Sequence, residues 1–409
     1  SINMEEDGEA IIWQSLGYDA ASNITSHTIN LVTTNYTYDD INQLLSEART
    51  GHNTSYTYDG NGNRTQRVIN GVTETYSYDN GDKLTSVTWT GGSKTYGYDN
   101  AGRLTSVTTG GVTTDVAYDH DNRVTSISRS GMTTNTFVYN GFGTRTSKAD
   151  STGTRTYLRD GVGVTTPLLS DGAATYTPGI SERRGTTSTY QLNGLKNTFA
   201  QSDANGGHVS SRNYDAFGGV TSSSGTHQGP FGYGGPYGYQ TDPDTGLMLL
   251  GHRFYDPSVG RFLTRDPIKD GRNWYGYGGG YGNPVNSVDP DGLRLCFLYI
   301  LRSKTTGGTL KWGISYNPNT RYTSTYLKAH DADMVPTCWF NTRREALDCE
   351  RMMVECDNGP LNLEKWAGKM RPKLPDGLPS PYAGSGDQFI HVPKQTLRGP
   401  VEETLLIFA

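Results

Sequence analysis

Four Asp-Pro pairs between residues 242 and 290 carry carboxyl groups that could do acid–base chemistry. They are Asp242-Pro243, Asp256-Pro257, Asp266-Pro267 and Asp289-Pro290. Asp-Pro is also an ordinary turn signal, and that is the simpler interpretation of each pair. If the fold brings two such carboxyl groups together, they cannot both ionise easily and they share a proton. One then acts as a base on water and the other as an acid, as in aspartic proteases.

The four cysteines, Cys296, Cys338, Cys349 and Cys356, all lie near the C-terminal end of the sequence. Their spacings match no zinc ribbon, and free buried thiols are the simplest interpretation. A Cys/His catalyst built from Cys296 or Cys338 with His330 is an alternative that the residue types leave open. His330 is also a spare acid or base, although a lone histidine is usually structural.

The elements that must position these groups begin with a repeat. Tyr38, Tyr58, Tyr78, Tyr98 and Tyr118 lie 20 residues apart, and Asp follows each of them. A fixed period near 20 indicates one supersecondary unit stacked on copies of itself. Thr, Val, Tyr and Ser alternate around each pair, with Gly/Asn/Asp clusters between, which predicts two short strands and two tight turns per unit. We expect the Asp to bond backbone N–H groups in its turn and the tyrosines to form a ring ladder on one side.

Composition agrees with a shell held by strand pairing. The 409 residues exceed one typical domain. Gly (52) and Tyr (27) are abundant, whereas Leu, Ile and Met are sparse. The sequence contains no run of 18 apolar residues and no signal-peptide pattern at its start. The first residues end in a degenerate Tyr18-Asp19 unit, so we expect the chain to be the C-terminal piece of a longer protein.

Over about residues 30–293 the chain resembles the Rhs/YD-repeat family. The resemblance rests on the repeats, on GYQTDPDTGLMLLGHRFYDPSVGRFLTRDPI at residues 238–268, and on NWYGYGGGYGNPVNSVDPDGL, which ends at Leu293. It implies that the repeats form a β-cocoon around a C-terminal toxin, that the signature plugs this shell, and that the chain cuts itself after Leu293. It also implies a secreted effector that acts in the cytoplasm of a target cell, with delivery proteins and a cognate immunity protein as partners.

The same resemblance selects two of the four Asp-Pro pairs. Asp266 and Asp289 match the family positions in RDPI and DPDGL, and we predict that they form the autoproteolytic pair. Asp242 and Asp256 are interpreted as turn residues. The target is the bond between Leu293 and Arg294, which the chain itself would hold in the site at a high effective concentration.

Three further residues are candidates for supporting this cleavage. Arg261 and Arg265 could orient a carboxylate or the scissile carbonyl, although a structural pairing explains them at least equally well. Gly292 has no Cβ and would let the backbone approach the site closely.

Charge changes at the proposed cut. Residues 294–409 hold 15 Lys/Arg and 12 Asp/Glu, a net charge of +3. The other 21 Lys/Arg and 29 Asp/Glu give residues 1–293 a net charge of −8, and the two parts make up the −5 of the whole chain. A basic cargo in an acidic container weakly suggests that the cargo acts on a polyanion.

The segment after the cut predicts a small α/β domain. LCFLYILRS and TLKWGISY predict two strands joined by the turn KTTGG. NPNTRYTSTYLKAH predicts a short helix, PTCWFN a third strand, and TRREALDCERMMVEC a second helix with Thr342 and Glu345 as a capping box. The predicted domains are a repeat shell (1–237), a self-cleavage region (238–293), the α/β domain (294–373) and a wrapping tail without chemistry (374–409).

This order of elements resembles the GIY-YIG nuclease superfamily. Tyr299 in LYIL matches the first Tyr of that family, Gly313 in KWGIS matches the Gly of the second motif, and Lys311 replaces the second Tyr. Arg321 matches the family Arg and Glu350 its metal-binding Glu. The implied fold class is therefore a mainly β YD-repeat shell, or β-cocoon, followed by a small α/β GIY-YIG-like domain. The implied activity is a Mg²⁺-dependent nuclease, with DNA as the expected substrate and RNA as the alternative.

These residue types suit phosphodiester hydrolysis. Tyr299, activated by neighbouring Lys311, would take a proton from water, while Lys311 and Arg321 would hold the phosphate. Glu350 would hold one Mg²⁺, which polarises the phosphate and stabilises the leaving group. The alternative is that Tyr299 is a plain strand aromatic, Lys311 a solvated strand residue and Glu350 an exposed helix charge.

Two other functions stay open from sequence. One is a structural or surface-binding YD-repeat protein with an inert C-terminal module. The other is the Cys/His enzyme described above. Plasmid nicking that requires Mg²⁺ favours the nuclease, whereas an activity that survives EDTA but not a thiol blocker favours the Cys/His enzyme.

Overall fold

Each 20-residue repeat forms two antiparallel strands, as its alternating pattern predicts. The computed structural model describes residues 2–6, 9–267, 269, 272–279, 282–293, 296–315, 324–340 and 350. The repeats build a sixteen-stranded sheet in which every strand pairs with the next one along the chain. Its strands are β1 (Ile2–Glu6), β2 (Glu9–Tyr18), β3 (Ile24–Ile29), β4 (Val32–Tyr38), β5 (Leu44–Arg49), β6 (His52–Tyr58), β7 (Arg64–Ile69), β8 (Val72–Tyr78), β9 (Leu84–Trp89), β10 (Gly92–Tyr98), β11 (Leu104–Thr109), β12 (Val112–Tyr118), β13 (Val124–Arg129), β14 (Asn135–Tyr139), β15 (Arg145–Asp150) and β16 (Gly153–Thr156).

The Asp of each Tyr-Asp pair shapes the turn that follows it, which confirms the prediction. Oδ1 of Asp59 accepts hydrogen bonds from the backbone N–H groups of Asn61 and Asn63, both at 2.9 Å. Gly62, between them, has a φ of 79°, a conformation that favours glycine. The same two-bond pattern recurs at Asp19, Asp39, Asp79, Asp99 and Asp119.

The Tyr of each pair bonds the backbone of the strand that precedes its own. The Tyr58 hydroxyl donates a hydrogen bond to the carbonyl oxygen of Leu44 at 2.9 Å. The Tyr118 hydroxyl bonds Leu104, again 14 residues earlier, at 2.7 Å. The ring contacts found in the described part of the chain do not join any two of the tyrosines from Tyr38 to Tyr118. The predicted ring ladder is therefore wrong, because the hydroxyl groups, not stacked rings, link successive units.

Two smaller antiparallel sheets follow the repeats. The second sheet has eight strands in chain order and the third has four. Short 3₁₀ helices lie at Gly235–Tyr237 and Tyr277–Gly279. The strands are β17 (Leu158–Arg159), β18 (Leu168–Ser170), β19 (Thr175–Thr177), β20 (Ser181–Arg184), β21 (Thr187–Gly194), β22 (Asn197–Ser202), β23 (His208–Tyr214) and β24 (Val220–Gly225), then β25 (Gln240–Thr241), β26 (Met248–Leu250), β27 (Arg253–Asp256) and β28 (Arg261–Phe262).

The signature segment, residues 238–293, packs on the buried face of the sixteen-stranded sheet. Phe254 and Leu263 share one apolar core with repeat residues such as Leu104. The backbone N–H of Leu104 also donates to the carbonyl oxygen of Leu263 at 2.9 Å. The position five residues after each repeat Asp, or after the Asn140 that replaces it, is buried throughout. It holds Ile24, Leu44, Arg64, Leu84, Leu104, Val124 and Arg145.

The segment after the proposed cut contains a three-stranded antiparallel sheet. Its strands are β29 (Cys296–Ser303), β30 (Thr309–Ser315) and β31 (Ala332–Phe340), with β29 in the centre. Among the described residues of this segment, the helix α1 (Ser324–Ala329) precedes β31. The predicted hairpin and third strand are confirmed, and the predicted short helix is confirmed over Ser324–Ala329, whereas residues 316–323 lie outside the described residues. β31 begins at Ala332, before the segment PTCWFN that was predicted as the strand. Pro336 does not end the strand, because β31 is an edge strand and its pairing with β29 shifts register at Tyr299.

The chain divides into two compact units, residues 1–362 and 363–409, and the second lies outside the described residues. The predicted second helix also lies outside them, except for Glu350. Within the described part of the chain, no helix has the length and apolar character needed to cross a membrane.

Candidate active sites

A buried arginine, Arg253, joins the two carboxyl groups predicted to cleave the chain. It begins β27, and its Nη2 lies 3.7 Å from Oδ2 of Asp266 and 3.7 Å from Oδ2 of Asp289. The three residues are 5%, 4% and 0% exposed. Burial lowers the pKa of Arg253, and the nearby carboxylates, Asp289 first, oppose this shift. One guanidinium therefore holds both carboxyl groups within ion-pair distance, away from water.

The same arginine also holds the backbone next to the proposed cut. Its Nε donates a hydrogen bond to the carbonyl oxygen of Gly292, and its Nη1 donates to that of Trp274 at 3.1 Å. Gly292 has a φ of 68°, and a Cβ at this position would overlap the carbonyl oxygen of Leu250. The predicted close approach of the backbone at Gly292 is thus observed, and the reason is contact with β26.

A third carboxyl group, Asp291, lies in the same cluster and is 1% exposed. Its Oδ1 accepts a hydrogen bond from the backbone N–H of Leu293 at 2.8 Å. Burial, and then the neighbouring charge of Asp289, raise the pKa of Asp291 to about 8. Asp291 therefore holds its proton to a higher pH than an ordinary aspartic acid does, because it is buried beside Asp289.

Buried hydroxyl groups fix the backbone on the other side of Asp289. The N–H of Asp289 donates to the Tyr239 hydroxyl, which lies 2.8 Å from the Tyr277 hydroxyl. Both tyrosines are buried in one aromatic cluster. Leu293, which follows, is partly exposed, and Arg294 lies outside the described residues. The segment before the predicted scissile bond is therefore held from both sides.

The other two Asp-Pro pairs have structural roles, as predicted. Asp242 pairs with Nζ of Lys148 at 2.8 Å and accepts the backbone N–H of Thr245 at 2.9 Å. Oδ1 of Asp256 accepts the N–H of Ser258, two residues on, at 2.9 Å.

Arg261 and Arg265 also make structural contacts. Nη1 of Arg261 donates to Oδ1 of Asn63 at 2.7 Å, which joins the signature segment to the repeats. Nε of Arg265 donates to the Tyr275 hydroxyl at 3.2 Å. These contacts favour structural pairing, and not orientation of the scissile carbonyl, as the role of Arg261 and Arg265. Sequence reasoning missed Arg253, whose signal is a permanently charged residue in the largely apolar run LMLLGHRFY.

In the C-terminal sheet, Tyr299 lies directly opposite Gly313 on the neighbouring strand. A Cβ on Gly313 would overlap the Tyr299 hydroxyl, so the phenol ring lies across the glycine. Lys311 is opposite Leu301, two residues from Tyr299, and is therefore on the same face of the sheet. Tyr299 is 1% exposed, whereas Lys311 is partly exposed. The structure brings these two predicted residues onto one face.

Glu350 is buried, at 6% exposure, which contradicts the alternative of an exposed helix charge. Arg321 lies outside the described residues. A buried carboxylate fits Mg²⁺, which is commonly bound by one or two carboxylates and several waters. The described residues contain no group of three or more His, Cys, Asp and Glu side chains arranged for a shared metal. Cys338 pairs across the sheet with Leu298, and His330 is exposed beyond α1.

Two protein-family models match parts of this chain. Residues 193–271 match the Teneurin YD-shell family, and residues 80–114 match the RHS Repeat family. These matches confirm the predicted Rhs/YD-repeat resemblance for both segments. Both ranges end before residue 294, so the resemblance of the C-terminal domain to GIY-YIG nucleases stays a prediction.

Individual proteins are similar over shorter stretches. The tRNA(Glu)-specific nuclease WapA of Bacillus subtilis subsp. natto is 36% identical over 113 residues, 27% of this chain and 5% of that protein. Double-stranded DNA deaminase toxin A of Burkholderia cenocepacia is 47% identical over 66 residues, 16% of this chain and 4% of that protein. The chain thus spans about one twentieth of the length of these relatives.

A solved structure of the Photorhabdus luminescens Tc holotoxin pore aligns with a TM-score of 0.37 and 18% identity. The alignment covers 69% of this chain and 19% of that one.

Proposed function

We propose that this chain is part of an Rhs-type toxin that cuts itself after Leu293 and thereby frees a C-terminal nuclease. The observation that carries the cleavage proposal is the buried cluster in which Arg253 lies 3.7 Å from both Asp266 and Asp289 and bonds the carbonyl of Gly292. The cluster therefore combines two carboxyl groups with a compensating positive charge. It also holds the backbone at Gly292, one residue before Leu293.

Cleavage follows the chemistry of a carboxyl pair. One carboxylate of Asp266 and Asp289 takes a proton from water, and the water oxygen bonds to the carbonyl carbon of Leu293. The tetrahedral intermediate carries negative charge on the former carbonyl oxygen. The protonated partner then gives its proton to the amide nitrogen of Arg294 as the C–N bond breaks. The products are a new carboxyl group on Leu293 and a new amine on Arg294.

Arg253 and Asp291 support this reaction without exchanging protons with the substrate. Arg253 holds the carbonyl of Gly292 and stabilises ionised carboxylate nearby, where a preorganised charge is worth more than in water. Asp291 accepts the N–H of Leu293 at 2.8 Å and so fixes the peptide unit that leads to the cut. Because the chain supplies its own substrate, orientation is built in and the reaction turns over once.

Mass spectrometry of the purified chain tests the cleavage. We expect two fragments whose masses place the new ends at Leu293 and Arg294. An intact chain of 409 residues after prolonged incubation, with the native fold retained, would overturn the proposal.

The freed segment hydrolyses phosphodiesters. The support is the hairpin that places Tyr299 across Gly313 with Lys311 on the same face, together with the buried carboxylate of Glu350. Tyr299 accepts the proton of the attacking water, Lys311 and Arg321 hold the phosphate, and Glu350 is the metal ligand. A bound Mg²⁺ supplies Lewis-acid polarisation of the phosphate. DNA is the expected substrate, and RNA is the second candidate because WapA relatives are named tRNA nucleases.

Its biological setting follows from the same proposal. The toxin is a secreted effector that acts in the cytoplasm of a target cell. Its partners are delivery proteins and an immunity protein that protects the producing cell.

Nucleic-acid integrity in bacterial cells tests the nuclease. Induction of the full chain should degrade either genomic DNA or RNA, and purified material should need Mg²⁺ and lose activity in EDTA. Intact DNA and RNA in cells that contain cleaved, folded protein would overturn the nuclease while leaving self-cleavage standing.

A further inference from the structure

A cavity of about 220 Å³ lies beside the signature segment, and its described lining includes none of Arg253, Asp266, Asp289 and Asp291. Its wall includes Arg145 and Arg159 from the strands β15 and β17, Gln240 from β25, and Pro290. None of the described residues in this wall is Asp or Glu. Among the described residues, the cavity wall therefore contains two cations and no carboxylate to balance them.

Arg145 is placed in this cavity by the repeat. It occupies the buried position that holds Leu84, Leu104 and Val124 in other repeats, and it is 5% exposed. Nη2 of Arg145 donates to Oε1 of Gln240, but its buried Nε has no hydrogen-bond partner. A guanidinium here replaces an aliphatic side chain and leaves one N–H without an acceptor, which is costly in a buried place.

Arg159, in the same cavity wall, repeats this pattern. Its Nη1 donates to the carbonyl oxygen of Thr166 at 2.9 Å, and its buried Nε has no partner. Burial, and then the like charge of Arg145, lower the pKa of Arg159 to about 10. Neither arginine lies within 4 Å of a carboxylate among the described residues, whereas the buried Lys148 has Asp150 at 2.6 Å.

Arg64 differs from Arg145 in the volume of the cavity beside its guanidinium. Arg64 occupies the equivalent buried position in its own repeat and also lacks a carboxylate partner in the described chain. Its guanidinium is surrounded by the rings of Tyr56, Tyr76 and Phe217 at 4.7–5.6 Å. The cavity beside Arg64 is only about 20 Å³, which leaves no room for a polyatomic ion. Arg145 also lies over the rings of Phe137 and Tyr157, at 5.6 and 4.9 Å, but Arg145 and Arg159 both line a cavity of about 220 Å³.

We propose that the cavity between Arg145 and Arg159 binds a small oxyanion, a phosphate or a carboxylate group. Arginine presents N–H groups in a planar fork that matches both groups and forms parallel hydrogen bonds to them. The volume lies below the roughly 300–1,000 Å³ of pockets for drug-sized ligands, so a free ion or one acidic side chain suits it. The site does not depend on the proposed cleavage, although Pro290 in its wall joins it to the signature segment.

Calorimetric titration of the full chain tests the site and separates the two sources. Sodium phosphate and sodium acetate are titrated separately at constant ionic strength, with sodium chloride as the reference. Phosphate binding alone identifies a phosphoryl site, acetate binding alone identifies a carboxylate site, and binding of both identifies a general oxyanion site. No heat from either anion beyond that from chloride would overturn the proposal.

Three variants connect binding to these side chains. Arg159→Gln should weaken binding at least about tenfold, the effect of losing one charge-assisted hydrogen bond. Arg145→Leu introduces the residue of the equivalent repeats, so it should fold and should also lose binding. Arg183→Gln changes an exposed arginine that donates to the carbonyl oxygen of Gly185, and it should bind as the unchanged chain does. Unchanged affinity in Arg159→Gln and Arg145→Leu would contradict the site.

Discussion

Nε of Arg253 donates a hydrogen bond to the carbonyl oxygen of Gly292, the residue just before the one whose carbonyl is proposed to be cut. The same guanidinium lies within ion-pair distance of Asp266 and Asp289. One side chain thus connects the proposed acid–base pair to its substrate backbone. The connection makes the cleavage proposal specific enough to be tested one group at a time.

The first prediction concerns the carboxyl pair. Asp266→Asn or Asp289→Asn should slow cleavage by at least about 10²-fold, because each removes a preorganised catalytic charge. Denaturing gels of freshly synthesised chain measure the fraction cut over time. Asp256→Asn is the matched control, since Asp256 belongs to another Asp-Pro pair and accepts only a turn contact from Ser258 in the contacts described above. Normal cutting in both dyad variants would remove the proposed mechanism.

The second prediction separates the charge of Arg253 from its shape. Arg253→Lys keeps a positive charge but cannot bond Gly292 and reach both carboxylates at once, so cleavage should slow at least about tenfold. A time course of cell-free synthesis gives the rate. Thermal unfolding of the same variant in an Asp266→Asn background shows whether the fold is intact. A Lys variant that is folded and cuts at the normal rate would mean that positioning by the arginine is unimportant.

The third prediction is a pH dependence of stability. The pKa of Asp291 rises on folding from its ordinary 3.8 to about 8. The folded chain therefore keeps a proton that the unfolded chain releases, and stability falls as pH rises between these values, by at most about 1.4 kcal/mol per pH unit. Asp291→Asn should remove this slope. Denaturant unfolding from pH 5 to 8, in an Asp266→Asn background that prevents cutting, measures the difference, and parallel curves would contradict the shift.

The fourth prediction concerns the nuclease residues. Tyr299→Phe, Lys311→Ala, Arg321→Ala and Glu350→Gln should each reduce nucleic-acid degradation by at least about 10²-fold and leave cleavage after Leu293 unchanged. Glu345→Gln is the control, because we assign Glu345 to helix capping. Activity is measured as the rate of plasmid or tRNA degradation with Mg²⁺. If Glu345→Gln inactivates and Glu350→Gln does not, the assigned metal ligand is wrong.

The fifth prediction tests the link between repeats. Tyr58→Phe deletes only the hydroxyl that bonds Leu44 and leaves a buried carbonyl with one partner fewer, so it should cost about 1 kcal/mol of unfolding free energy. Tyr190→Phe is the control, since Tyr190 is 40% exposed. Equal stability of the two variants would show that the hydroxyl bond contributes nothing.

The repeat was predictable because its chemistry is local. Asp59 bonds N–H groups two and four residues along, so the spacing of residue types already specifies the turn. The stacking of tyrosine rings was predicted wrongly, because the bond from Tyr58 to Leu44 depends on how neighbouring hairpins are placed. Propensity and pattern do not contain that placement.

The candidate cleavage site was predictable only in part. Asp266 and Asp289 were selected by family resemblance, and the structure brings both to one guanidinium. Arg253 could not be selected, because its contacts come from three separate segments of the chain. Asp291 could not be selected either. Its role depends on its burial beside Asp289, and the sequence DPDGL does not show that this second Asp is buried.

The hydroxyl bond from each repeat tyrosine reaches only one hairpin back. Removing or adding a whole 20-residue unit therefore leaves every tyrosine with an equivalent partner, whereas an insertion of one residue within a unit would shift the strand pairing. Recombination between repeats in the gene can thus lengthen or shorten the repeat sheet by whole 20-residue units. The contacts that hold the signature segment on the sheet, such as those of Arg261 with Asn63 and of Leu263 with Leu104, would then join it to different units.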